Sequence, residues 1–161
     1  MIFIFTLILC AACTLVVLLG SSKPIAPALL FMHSTIRETY GYNEPDADSP
    51  DAAKKRNIRN IICAAVAAVI YITLAVIGSP KSFFGGLSGS MVMCTALSLY
   101  IVLGLQCGLI AHVPAFRIRG SESFEAQYRD YDDYAGNLVK MLAVGAVLSV
   151  ITGLLCLAIG K

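Results

Sequence analysis

The charged residues of this chain are segregated, and that segregation constrains the fold more than any other feature. Four stretches contain no Asp, Glu, Lys or Arg: Ile2–Gly20, Ile61–Gly78, Ser90–Val113 and Met141–Gly160, together 81 of the 161 residues. All 22 charged residues lie in the other half. A helix needs about 20 mostly apolar residues to cross a hydrocarbon layer of about 30 Å, and each stretch meets that alone or with a short extension. Within lipid a spanning segment must satisfy its own backbone hydrogen bonds, which leaves the helix as its form. The sequence therefore predicts an all-α integral membrane protein. Its four transmembrane helices form two hairpins, with short amphipathic helices on the inner side. The expected layout is a single membrane domain over 1–161, with spans at 2–20, 50–78, 90–113 and 139–160. An inner loop with an amphipathic helix occupies 21–49, an outer turn 79–89, and an inner loop with a tyrosine-rich helix 114–138. The second span includes a cytoplasmic stub opened by Ser49-Pro50-Asp51, a good helix start.

Composition agrees. Hydrophobic residues make up 58% of the chain and charged residues 14%, against about 45–50% and about 25% in soluble domains. Twelve bases against ten acids give a net charge of +2, too balanced for the basic face that nucleic-acid binding requires. No nucleic-acid partner is expected. The six cysteines all fall in apolar stretches, where a thiol packs as a small hydrophobe and stays inert. Cys10 and Cys13 have dithiol spacing, but no loop cysteine is available to pass electrons on.

The basic residues set the orientation. The first connection holds Lys23, Arg37, Lys54, Lys55, Arg56 and Arg59, and the third holds Arg117, Arg119, Arg129 and Lys140. Lys81 and Lys161 are alone on the other side. Such a bias places both termini outside and the long loops in the cytoplasm or matrix. An energy-converting or plasma membrane, mitochondrial inner or bacterial inner, is the expected location. The first stretch lacks the basic start of a secretory signal and reads as a retained helix.

The inner side carries most of the interaction surface. Ile25, Leu29, Met32, Ile36 and Tyr40 recur at helical spacing, which reads either as a helix on the membrane surface or as a packed connecting helix. Phe124, Tyr128, Tyr131 and Tyr134 form an aromatic stripe, expected as an interfacial belt or a docking face. Lys54, Lys55, Arg56, Arg59, Arg117 and Arg119 are candidates for contact with anionic lipid heads, at about 1 kcal/mol per base near the surface.

Residues that carry chemistry are scarce. No nucleophile–base pair, metal cluster or phosphate loop is legible, so no catalytic residue, metal or cofactor is expected and the chain reads as non-catalytic. His33 and His112 are the only candidate heme or quinone contacts, both at the inner face. In outline the two hairpins resemble the proteolipid ring subunits of rotary ATPases. Those carry a mid-helix carboxylate in the last span, where this chain has Ser149, and the family is not assigned. What remains is a packing signal: Gly104 and Gly108 in the third helix, and Gly145, Ser149 and Gly153 in the fourth. Small residues four apart let helices approach closely, and Gln106 is placed to hydrogen-bond across such a contact. The chain thus reads as an accessory or structural transmembrane subunit. Its partners would be membrane lipids, anionic on the inner side, and the other subunits of a larger membrane complex. The alternatives are a small membrane enzyme, a heme-, quinone- or lipid-binding anchor, and a homo-oligomeric channel or transporter.

Overall fold

A computed structural model describes residues 1–22, 26–29, 31–41 and 50–160. Among these the regular elements are all helical: α1 (Ile2–Ser22), α2 (Ala26–Leu29), α3 (Ser34–Gly41), α4 (Pro50–Gly78), α5 (Phe83–Leu99), α6 (Glu125–Tyr128) and α7 (Tyr131–Ile159). A π-helical stretch, Tyr100–Ile110, continues α5. Short 3-10 turns occur at Pro114–Phe116 and Glu122–Phe124. Four helices are long and apolar enough to cross a membrane: Ile2–Ser21, Asn57–Gly78, Phe83–Ile110 and Tyr131–Ile159. The two ends of the bundle differ. A hairpin end joins α4 to α5, and a polar end gathers α2, α3 and the segment between the π-helical stretch and α7.

The turn at the hairpin end is shorter than the expected 79–89. Ser82 is extended (φ −142°, ψ 159°) and its hydroxyl accepts from the Gly85 backbone N–H at 3.1 Å, which starts α5 at Phe83. Gly85, Gly86 and Gly89 are therefore helical. A helix-interior glycine costs about 1 kcal/mol relative to alanine, and packing explains why Gly86 bears it. A Cβ there would lie 2.8 Å from the Cys156 Cβ and Sγ and 3.0 Å from the Gly153 Cα.

This close approach continues along α5 and α7, the most extensive helix pair. Gly153 faces the Phe83 carbonyl, Ser149 donates to the Ser90 hydroxyl at 3.1 Å, and Gly145 faces the Cys94 sulfur. Tyr71 of α4 joins them by donating to the Ser90 carbonyl at 2.6 Å. Burying such hydroxyls in an apolar bundle is tolerable only when each finds a partner, and here three helices share one network.

The polar end departs further from expectation. Over the described part of 25–40 there is not one continuous surface helix: a turn at Phe31–Met32 separates α2 from α3, and Ile25 lies outside the described residues. Leu29, Met32 and Ile36 of this segment are buried with Val17, Ile101 and Leu105. Its apolar face is thus consumed inside the chain, as a packed connection. The tyrosine-rich segment also divides, into a 3-10 turn, α6 and the first turn of α7. Asp130 caps α7, accepting from the N–H groups of Asp132 and Asp133 at 3.2 and 3.3 Å, so this helix starts well before residue 139. Tyr128 and Tyr134 are fully buried, which overturns their assignment to an interfacial belt. Tyr128 packs under the Arg117 guanidinium, and its oxygen accepts from the Ile118 N–H at 3.2 Å. Tyr131 remains exposed, and Phe124 meets Tyr40 edge-on.

Candidate functional site

The polar end is organised by a buried histidine. His33 is 6% exposed and precedes α3. Its Nδ1 accepts from the Thr35 backbone N–H at 3.1 Å, so its Nε2 carries the proton and donates to the Asp130 carboxylate, also at 3.1 Å. Asp133 lies 4.0 Å from the same nitrogen, and the Tyr134 ring packs edge-on. One carboxylate thus caps α7 with one oxygen and anchors the α2–α3 connection with the other. The hydrogen bond from His33, reinforced by the two backbone N–H groups, holds the Asp130 carboxyl below its ordinary range. A charge-assisted bond of this kind favours the ionised form.

Both ring nitrogens of His33 are therefore committed, and ligating iron would require breaking one of these bonds. His112 is exposed at the end of the third long helix. Among the described residues no hydrogen bond, ion pair or ring contact joins it to His33. No group of three or more His, Cys, Asp and Glu among the described residues is arranged to hold a metal ion.

The expected lipid-facing cations have different fates. Arg117 is turned inward: its Nε donates to the Ile110 carbonyl at 3.0 Å and its Nη2 to the Ala111 carbonyl. These are the carbonyls that the end of the π-helical stretch leaves without intrahelical partners. Arg117 is thus a helix cap and is not a free cation. Arg119 and Lys54 are exposed, as is Arg59. The side chains of Lys55 and Arg56 lie outside the described residues.

The packing residues also divide. Gly145, Ser149 and Gly153 all lie against α5. The Gly104 and Gly108 pair does not meet a helix in the same way. A Cβ on Gly104 would meet first the Tyr100 ring of its own helix, and on Gly108 only the Leu103 carbonyl. Both sit within the π-helical stretch, whose wider turn alters which residues share a face.

An eleven-residue π-helical run is long, since such geometry is mostly confined to single-turn bulges that are frequent at functional sites. Its ends are tied down. The Tyr100 hydroxyl shares a hydrogen bond of 2.6 Å with Thr14 of α1, and the Ala111 N–H bonds to the Gln106 carbonyl. Gln106, 2% exposed, donates from Nε2 to the Phe31 carbonyl at 3.0 Å. Its Oε1 is buried with no hydrogen-bond partner among the described residues. Gln106 lines a cavity of about 230 Å³ together with Phe31, Ile101, Asn137, Lys140 and Met141. A cleft of about 380 Å³ that shares Lys140 and Met141 with it opens between α4, α5 and α7. Its walls include Ala64, Ala68, Leu97, Val144 and Gly145. Sequence reading singled out Gln106 but not Asn137 or this use of Lys140, which appeared only as one of the orienting bases. The chain matches no protein family, no curated protein and no solved structure against which it was compared.

Proposed function

We propose that this chain is a multi-pass membrane protein with both termini outside, serving as a non-catalytic docking subunit of a larger membrane assembly. The observation that carries this reading is the uneven burial of its long helices. Only 11% of the most apolar part of α4 and 17% of that of α1 are buried by the chain itself, against 44% for the third long helix. Ile62, Val66 and Val69 on α4, and Phe3, Leu7 and Leu15 on α1, are each more than half exposed. In water such surfaces would drive aggregation. In a bilayer they face lipid or other helices, and van der Waals packing decides which.

The polar end supports the same reading. The His33–Asp130 bond, the Arg117 cap and the buried tyrosines form a fixed platform at the side where the basic loops gather. Docking on a pre-formed surface avoids the ordering cost that a loose loop would incur on binding. A photo-crosslinking residue at Val69 or Leu7 tests the proposal in the native membrane. Discrete adducts of reproducible mass are expected, and exclusively lipid adducts from both positions would contradict the docking role.

A further inference from the structure

The Gln106 cavity, which has three polar side chains in its lining, and the apolar cleft share Lys140 and Met141, and together they have the form of a site for an amphiphile. The cleft is lined almost wholly by apolar and small side chains: alanines of α4, Cys94 and Leu97 of α5, and Val144 and Gly145 of α7. Its volume of about 380 Å³ falls within the range of small-molecule sites. An apolar slot open to lipid takes in an acyl chain, because leaving it empty forfeits dispersion contacts along every wall.

The head end has the complementary chemistry. Lys140 is exposed and forms no ion pair among the described residues. It lines both spaces, and a lysine at an interface ordinarily lays its apolar stem on apolar surface and keeps its ammonium in the polar region. Lining the same cavity are Gln106, whose Oε1 has no hydrogen-bond partner among the described residues, and Asn137. A buried acceptor without a donor is costly unless a ligand or water supplies one. A cation at the junction calls for an anion, and the orphan acceptor calls for a hydroxyl beside it.

We propose that this composite pocket binds one anionic glycerophospholipid with a hydroxyl-bearing headgroup. Its acyl chain lies in the α4–α5–α7 cleft, its phosphate meets Lys140, and a headgroup hydroxyl donates to Gln106. The inference rests on the membrane reading proposed above and assigns one lipid to one place, beyond the diffuse attraction of the basic loops. It also gives the π-helical stretch a role, since this stretch carries Gln106 into the head cavity.

The test uses the full chain reconstituted in vesicles of equal parts phosphatidylglycerol and phosphatidylcholine. After release into mild detergent, native mass spectrometry counts the retained lipids. The parent protein should retain one phosphatidylglycerol preferentially. Lys140→Met should reduce that preference about fivefold, the effect of removing one base at a membrane surface, and Lys140→Arg should preserve it. Ala68→Phe, which fills the cleft, should abolish retention, whereas Lys81→Met, at the hairpin end, should leave it unchanged. Integrated protein showing equal retention of the two lipids, or full retention in both Lys140→Met and Ala68→Phe, would overturn the site alone. Protein extracted from the vesicles by alkaline carbonate would instead overturn the membrane reading beneath it.

Discussion

Single side chains decide the packing at two places. Gly145 faces the Cys94 sulfur so closely that any Cβ must displace it. Gly145→Ala is therefore expected to destabilise the α5–α7 pair by about 1–3 kcal/mol, the usual cost of overpacking. Removing the sulfur in the double variant Gly145→Ala/Cys94→Ala should recover part of the loss, which unfolding in mixed micelles would measure. An additive double variant would place the clash elsewhere. Asp130 is the second place. Its carboxyl is held below the ordinary value by the His33 bond and the α7 N–H groups. A carboxyl depressed in the folded state contributes stability that is present above its unfolded value and lost as pH falls through its folded value. Acidification through the carboxylate range should thus lower the midpoint of thermal unfolding in the parent and leave a smaller acid-dependent change in Asp130→Asn. Asp130→Ala, which removes the cap as well, should be the less stable of the two variants at neutral pH. These contacts were not legible beforehand, because His33 and Asp130 are 97 positions apart and neither residue type alone announces a cap with two tasks.

Among the elements, the third long helix is the least regular and the most consequential. Sequence pattern marks it as apolar and glycine-containing, but periodicity does not distinguish π from α over so few turns. The same limit bears on its packing face: the G-x-x-x-G spacing presupposes α geometry at Gly104 and Gly108, which lie in the π-helical stretch. The start of this helix was also misplaced, since Gly85, Gly86 and Gly89 resemble turn residues until Cys156 is seen opposite Gly86. Arg117, with a side chain 16% exposed, closes the far end of the π-helical stretch. Arg117→Met should cost about 1–3 kcal/mol, the range for hydrogen bonds to charged groups. Arg117→Lys should recover little of this, because a single ammonium lacks the fork that reaches both carbonyls. Thermal unfolding of the three forms compares them directly, and equal stability of all three would remove Arg117 from this role. In the middle of the bundle, Tyr71→Phe and Ser149→Ala should each cost about 0.6–1.7 kcal/mol, with a non-additive double variant, because both act on Ser90.

At the scale of the whole molecule, the four long helices were legible because charge exclusion over some twenty residues is a strong signal that does not depend on contacts. The Gln106 pocket was not, because it requires Phe31, Gln106 and Lys140 to converge from three parts of the chain, and spacing within one helix carries no trace of that. The proposed docking role rests on the exposed faces of α1 and α4 and on the platform at the polar end. The central claim is that these surfaces are made for company. The direct measurement is the native mass of the complex solubilised from its own membrane in mild detergent, with the co-migrating chains identified. A large particle containing other proteins in fixed stoichiometry is the predicted result; a particle holding only one or a few copies of this chain would contradict the account.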